Sequence, residues 1–533
     1  MSTTVNAQRE RHAWVVGSGI AGLATAVLLV RDGALRPENV HVLEQHEWPG
    51  RGGARWDATR YSCSAVGGGV VSDEASACLW DVLGSVPAGP GRRTTVRDEI
   101  EEFHRAAPVQ VRARLVDGRQ QVVNTSSLAV ARADRVGLAR LLSLPEADIG
   151  AHRIDEFLSP NFLRGSLWAL WRTTFGFQEW HSAAEMKRHL LRFAADLPRL
   201  EQLSGVRRSR LDRRRAIVEP MIAWLTSLGV RFEWGTTVRG VDFAESGGIR
   251  RAVRLHVASP GGAPGEVELS GDDLAFITLG STTADARSGD EDTAPSPSCG
   301  RHDGGWQLWE ALAAKGPGFG RPDPFDQRPA ETAWKSFLLT MEGSVVAKRI
   351  EALAGGSLDG GVITTFRDSP WLVTVVMQPA PPPSGAPSGP VTLWGYGLRM
   401  DSPGEHTGAT LGGATGSEVL AEVLGQFGLG SSARQAVGAT SVTTTLLPYI
   451  TSPLARRSVG DRPPVVPDGA VNFALIGQYV ELADEAGASL EYSVRSAMVA
   501  VHALLGLSAP IPAVRNADTD AGMAFEDLRT AFC

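Results

Sequence analysis

Cysteine and lysine are scarce in this chain of 533 residues. Its four cysteines, Cys63, Cys78, Cys299 and Cys533, contain no Cys-x-x-Cys pair, which excludes a zinc knuckle and a disulfide framework and fits a reducing cytosol. Lysine supplies only Lys187, Lys315, Lys335 and Lys348 among 52 basic residues, a bias of GC-rich coding that carries no chemistry. Positive charge is not in surplus either: 52 basic residues against 59 acidic ones leave −7, without the basic footprint of a dedicated nucleic-acid binder. No uninterrupted apolar run spans a membrane. The longest, Ala13 to Val30, is broken by Gly17, Gly19 and Gly22 and follows Arg9, Glu10 and Arg11, so it reads as strand, turn and helix, with no signal peptide and a cytoplasmic location expected. A Gly-x-Ser-x-Gly elbow for acyl transfer and internal repeats are also missing.

What is present is globular. Apolar residues make up 43% and charged residues 21%, and the length leaves room for about three compact units. The most informative stretch opens with the apolar strand Trp14-Val15-Val16, turns through Gly17-Ser18-Gly19-Ile20-Ala21-Gly22, and continues with helical periodicity from Leu23 to Arg31. The first glycine allows the tight turn. The second lets backbone approach a pyrophosphate, and the third lets helix and strand close up, with the helix N-terminus facing the anion. A second apolar strand, Val40-His41-Val42-Leu43, ends in Glu44, about 20 residues on, where a carboxylate binds both ribose hydroxyls. Further glycine loops, Gly52-Gly53 and Gly67-Gly68-Gly69, suit an extended FAD better than a nicotinamide, because FAD needs close backbone approach at several points.

The chain resembles the oleate hydratase family, also called myosin-cross-reactive antigens, which are FAD-dependent enzymes that add water to an isolated double bond of a fatty acid without net redox change. The resembling segments include the glycine fingerprint through Asp32-Gly33, Cys78-Leu79-Trp80-Asp81, Leu170-Trp171-Arg172-Thr173 and Trp180-His181-Ser182 through Arg188. Others are Gly305-Trp306-Gln307-Leu308-Trp309, Pro448-Tyr449-Ile450-Thr451, Gly460-Asp461-Arg462-Pro463, Phe473 to Gln478 and Glu491-Tyr492-Ser493-Val494-Arg495. The resemblance implies a Rossmann-type FAD-binding domain, a mixed-sheet substrate domain with helical segments, and Gly477-Gln478 near the flavin. It also exposes two departures. The family's arginine and glutamate after the glycine run fall on Val70 and Val71, and its tyrosine upstream of Val218-Glu219-Pro220-Met221 is replaced by Leu211-Asp212-Arg213-Arg214-Arg215.

Asp73 and Glu74, in the same loop, are the best replacements for the lost acid, since an apolar surrounding favours the neutral carboxyl that a general acid requires. Their alternative role is to cap the helix carrying Cys78. Tyr61 and Asp57 stand in reserve. His181, Glu185 and His189 look like a metal ladder spaced along one helix, but Ser182 to Glu185 also reads as a capping box, and no metal is expected. Gly428 to Ala433 mimics a dinucleotide turn without a preceding strand and reads as a loop. The arginine run Arg207 to Arg215 reads as a solvated face or as a site for a carboxylate, a phosphate or anionic lipid, which keeps transient membrane-surface contact among the expectations. Trp168, Trp171, Phe175, Phe177, Trp180, Phe193 and Trp224 suggest either a long apolar tunnel or ordinary core.

The expected organisation places residues 1–130 and 431–533 in the FAD domain, 131–280 and 306–430 in the substrate domain, and 281–305 in a mobile surface insertion; Gln378 to Pro390 reads as a stiff loop. The expected substrate is an unsaturated fatty acid or isoprenoid, handled by a monomer or homodimer. Hydration is the default chemistry. Isomerisation or cyclisation of a terpenoid or polyketide, true flavin redox chemistry, and silent lipid carriage remain the alternatives.

Overall fold

The computed structural model describes residues 11–47, 70–73, 76–106, 112–125, 130–193, 206–209, 211–259, 261–296, 303–341, 345–354, 362–377, 391–430 and 440–514. Its first half is a five-stranded, wholly parallel sheet in the order β17-β10-β1-β2-β6, made of β1 (Ala13–Val16), β2 (Val40–Glu44), β6 (Arg231–Trp234), β10 (Leu274–Thr278) and β17 (Phe473–Ile476). Four of these strands are short, largely apolar runs, and β2 and β17 are buried along their whole length, whereas the edge strand β6, Arg231-Phe232-Glu233-Trp234, stays partly exposed. Helix α1 (Ile20–Arg31) follows β1, and its residues Ala21 to Leu29 are buried between the sheet and the C-terminal helix α6 (Leu490–Leu505). The strand order reverses at β1: the chain moves through α1 to β2 on one side, while β10 lies on the other. Ligands of open parallel sheets sit at the carboxyl ends of strands at such a reversal.

The second half is a seven-stranded mixed sheet, β11-β16-β12-β15-β14-β13-β4. It comprises β4 (Arg112–Val116), β11 (Arg287–Gly289), β12 (Trp334–Met341), β13 (Val362–Phe366), β14 (Thr374–Met377), β15 (Val391–Gly397) and β16 (Thr440–Leu447). All pairs are antiparallel except β13 with β4. A three-stranded sheet of β7 (Thr237–Ser246), β8 (Ile249–Ala258) and β9 (Pro264–Glu268) flanks the parallel sheet, and β3 (Val70–Asp73) pairs with β5 (Val206–Arg208).

Strand pairing redraws the expected boundaries. β4 lies within 1–130 and β16 within 431–533, yet both join the mixed sheet, whereas β6 and β10, within 131–280, join the parallel one. The expectation of a mobile insertion over 281–305 is corrected for its described part: β11 pairs with β16, with Arg287 opposite Leu446, and Ala284, Ala286 and Gly289 are buried. The Ser, Asp and Gly content that suggested a free loop serves tight turns instead, as Asp290 accepts the amides of Asp292 and Thr293. The Gln378 to Pro390 segment lies outside the described residues.

The aromatic group is mostly core. Trp168, Trp171 and Phe177 are fully buried in one apolar cluster with Leu167, Leu170 and Leu190, and Trp224, on helix α4 (Glu219–Leu228), packs against a different one. Among the described residues no helix is long and apolar enough to cross a membrane.

Candidate functional site

A cavity of about 530 Å³ opens at the carboxyl ends of β1, β2 and β10. It is lined by the turn Val16 to Ile20 with Leu43, Glu44, Gln45 and His46, by Thr278 beside that turn, and by Gly280 to Thr283, continuing through Asp285, Ala286 and Arg287. Arg213, Ile217 and Val218 and the N-terminus of helix α5 (Gly304–Ala313) close it.

The turn has the stereochemistry its glycines were read to require. Gly17 sits at φ +93°, where a β-carbon is strained, and donates its amide to the Leu43 carbonyl at 2.8 Å. A β-carbon on Gly22 would lie 1.9 Å from the Gly17 carbonyl oxygen, so the helix can approach the strand only without one. At Gly19 the contrast is complete: a β-carbon there meets nothing within 4 Å and would stand in open space. The N-terminus of α1 carries no side-chain cap and no acid in its first turn. Its amides are therefore available to an anion.

Glu44 is buried and accepts the Ser18 amide and hydroxyl at 2.8 and 2.7 Å and the His46 amide at 2.9 Å, which aims the carboxylate along the cavity wall. The buried Thr278 hydroxyl, beside Gly17, has no hydrogen-bond partner among the described residues. An uncapped helix end, open space at Gly19 and an unsatisfied hydroxyl together fit a dinucleotide. Gly17, Ser18, Gly19, Ile20 and Glu44 line the cavity directly, whereas Ala21 and Gly22 support it from within the helix. Gly477, at φ +105°, donates to the Ser496 hydroxyl at 2.9 Å, and its neighbour Gln478 binds Ser489 and Ser493. Gly477 lies against the Thr278 methyl, neither residue is among those lining the cavity, and the buried Gln478 Oε1 has no hydrogen-bond partner among the described residues.

The proposed acid is only partly visible. Asp73 ends β3 opposite Val206; Glu74, Gly52, Gly53, Gly68, Gly69, Asp57 and Tyr61 lie outside the described residues. Helix α2 (Ala77–Leu83) has its Cys78 and Leu79 amides met by the Glu491 carboxylate at 3.2 and 2.8 Å, a residue distant in the chain. Burial and the Glu491 charge push the Cys78 thiol well above its ordinary range, which makes it an inert packing residue.

A model of the MCRA family matches residues 10–502. The chain belongs to the MCRA family. It is 31% identical over 524 residues to the oleate hydratase of Streptococcus pyogenes serotype M49 (strain NZ131), covering 96% of this chain and 88% of the relative. With the linoleate hydratase of Lactiplantibacillus plantarum it shares 24% over 537 residues, covering 93% and 94%. Among solved structures, putrescine oxidase bound to putrescine and the cyclohexylamine oxidase of Brevibacterium oxydans IH-35A each align with a TM-score of 0.50 at 13% identity, over 93% of this chain and 99% of theirs. That likeness concerns the fold: an α/β chain with a Rossmann-type domain of the FAD-binding kind beside a mixed-sheet domain.

This MCRA chain also contains a feature that no local spacing announced. Around helix α3 (Ala183–Phe193), Glu185 is fully buried and paired with Arg457 at 2.9 Å and Arg462 at 3.0 Å. Burial alone pushes its carboxyl up; the guanidiniums of Arg462, Arg457 and Arg188 outweigh that and hold it at about 2. Arg188 bridges Glu146 and Glu481 at 2.6 Å each, while Arg192 and Arg495 share Glu485 at 3.7 and 2.9 Å. Arg495 also binds Glu491 at 2.8 Å, so the cluster reaches the cap of α2. The metal-ladder geometry dissolves here. His181 precedes α3; its Nδ1 accepts the Gln178 amide, and its Nε2 faces the Glu331 carbonyl. Among the described residues no three His, Cys, Asp or Glu side chains gather to hold a metal ion. The capping box is half made, with Ser182 accepting the Glu185 amide at 3.4 Å and the Glu185 carboxylate committed to arginines.

The arginine run divides. Arg207 meets His104, Arg214 pairs with Glu219 at 2.6 Å, Arg215 leans on Asp212, and Arg213 lines the cavity. Sequence reasoning missed Gln45, His46, Thr278, Asp303 and the 281–287 wall. Asp303, nearly buried, binds Gln45 and stands 3.8 Å from His46. Burial raises its carboxyl, but these partners and the Gly304 amide outweigh that and keep it below its ordinary value. Gln45 and His46 directly follow Glu44 and were within reach of the motif; the others arrive from far along the chain.

Proposed function

We propose that the protein is a redox-neutral, FAD-dependent hydratase that adds water across an isolated carbon–carbon double bond of an unsaturated fatty acid. The observation that carries this reading is the anion-ready glycine turn and its cavity, in a chain that aligns over nearly its whole length with fatty acid hydratases. Gly17 to Gly22, Glu44 and Thr278 would hold FAD through backbone amides, a ribose contact and a free hydroxyl. Bound there, the cofactor supplies an electron-rich surface that stabilises positive charge developing on the substrate.

The chain's own carboxyl groups supply the proton. An acid from the loop before α2, with Asp73 and Glu74 as the candidates, gives its proton to one alkene carbon as the π bond breaks. Water bonds to the other carbon, and its surplus proton returns to the carboxylate. No electrons are exchanged with any redox partner. Glu491 keeps α2, and with it the end of this loop, anchored to α6.

The test is incubation of FAD-loaded protein with oleate or linoleate in deuterated water without a nicotinamide. The expected product is a hydroxy fatty acid carrying one carbon-bound deuterium. A product with deuterium but no added oxygen would point to isomerisation, and a requirement for a nicotinamide or oxygen would point to redox chemistry; either outcome overturns hydration.

A further inference from the structure

Arginines in the interior of this protein are matched by carboxylates. Arg172, Arg188, Arg457, Arg462 and Arg495 all have one within 3.4 Å. Arg287 is the exception on the cavity wall. It is half-buried, lines the cavity, and makes a single long contact, 3.3 Å, to the carbonyl of its neighbour Ala286. No carboxylate among the described residues lies within ion-pair distance of it. A guanidinium offers five N–H donors in a planar fork, and withdrawing it from bulk water without an acceptor is costly, so the position is suited to a bidentate anion delivered by a ligand.

Its backbone is held firmly. Arg287 opens β11 in register with Leu446, and Gly289, two residues on, has no room for a β-carbon, which would meet the Thr293 carbonyl at 2.4 Å. The following turn is tied to the N-terminus of helix Gly416–Gln426, where Gly416 and Ser417 donate to the Asp290 and Glu291 carbonyls, and to β16, where the Val442 amide donates to Glu291. The backbone that carries the fork is therefore fixed to the mixed sheet, and the cavity that Arg287 lines is shared with the glycine turn of the parallel sheet. The diphosphate of a dinucleotide already has the amides of α1. Apolar Ile217, Val218, Leu308 and Leu490 line the same space.

We infer that Arg287 anchors the carboxylate of the substrate, so that the cavity selects a free fatty acid over its ester or alcohol. This rests on the fatty acid reading above and deepens it. Ser281, Thr282 and Thr283 line the same cavity, with the Ser281 and Thr283 hydroxyls 3.2 Å apart.

The experiment measures dissociation constants of the FAD-loaded protein for oleate and for oleyl alcohol, in wild type and in Arg287→Gln, with FAD content and melting temperature recorded alongside. Wild type should bind oleate about 10- to 100-fold more tightly than the alcohol, the scale of a lost charge-assisted hydrogen-bonded pair. Arg287→Gln should erase that preference by weakening oleate alone, with FAD content and melting temperature unchanged, and Arg287→Lys should restore part of it. A Gln variant that still prefers the acid overturns the inference. So does one that loses FAD while remaining folded, because the arginine then serves the cofactor. If the Gln variant does not fold, the Lys variant decides, and undiminished preference for oleate there overturns the inference. Wild type binding acid and alcohol equally defeats the anchor and leaves hydration standing; wild type binding neither defeats both.

Discussion

The glycine turn at Gly17–Gly22 and the ion cluster around Glu185 are both sites where the protein forgoes ordinary apolar packing, and they do so with opposite materials. The turn is made of backbone. Its geometry depends on side chains that are missing, and every residue in it lies within a few positions of the next. The cluster is made of long charged side chains gathered from residues as far apart as Glu146, Glu185, Arg457 and Arg495. Backbone sites are written into spacing; side-chain sites are written into topology. The difference also separates what each tolerates: a turn fails when something is added, and an ion cluster fails when something is taken away.

Two glycine substitutions break the turn in different ways. Gly22→Val puts a side chain into the Gly17 carbonyl and should cost more stability than any other change considered, giving little soluble protein and a melting temperature many degrees below wild type. Gly19→Val meets only open space, so the apoprotein should melt within a few degrees of wild type while retaining no FAD on reconstitution. If both variants melt alike, the geometry assigned to the turn is wrong.

In the cluster, Glu185→Ala leaves Arg457 and Arg462 buried without their shared partner, and should destabilise by about 3–5 kcal/mol in denaturant titration. Adding Arg462→Met should recover part of that loss, because one uncompensated charge is then removed. Full additivity of the two losses would show that the pair is not coupled.

The loop between the two regions tests the chemistry. Asp73→Asn or Glu74→Gln should lower turnover about a hundredfold, roughly 2.7 kcal/mol of barrier, with FAD content and melting temperature near wild type. Full activity in both variants would remove these residues from the mechanism.

Acid should expose the cluster before the turn. Burial depresses His181 to about 3 and His189 to about 4, from an ordinary 6.5. Between those values the unfolded chain binds the protons and the folded chain does not, so stability falls as pH drops below about 6.5. By pH 5 the loss is about 2 kcal/mol for each histidine. Glu185, held at about 2 against an ordinary 4.5, adds a second loss only below about pH 4.5. A melting temperature that is flat from pH 7 to 5, or His181→Gln with an unchanged pH profile, would contradict this.

The strand–turn–helix at Ala13–Arg31, the acid at Glu44 and the apolar strands of the parallel sheet were legible from spacing and periodicity, since each depends on contacts close in sequence. Which sheet a strand joins was not. β4, β6 and β16 have similar alternating or apolar patterns, and only the pairing partners, all distant in the chain, assign them. The stretch 281–289 looked like free surface because its residues are small and polar; tertiary structure turned the same residues into a cavity wall by pairing β11 with β16.

By itself the sequence determined that a dinucleotide turn forms and where its carboxylate stands, because a missing β-carbon and a helix end act through local stereochemistry. Only the tertiary structure decided that Thr278, Asp303 and Arg287 share a cavity with that turn, that Glu491 caps the distant helix at Cys78, and that Glu185 is the centre of an ion-pair cluster. Those outcomes depend on which charges share a buried volume, and a buried volume exists only once the sheets have closed around it.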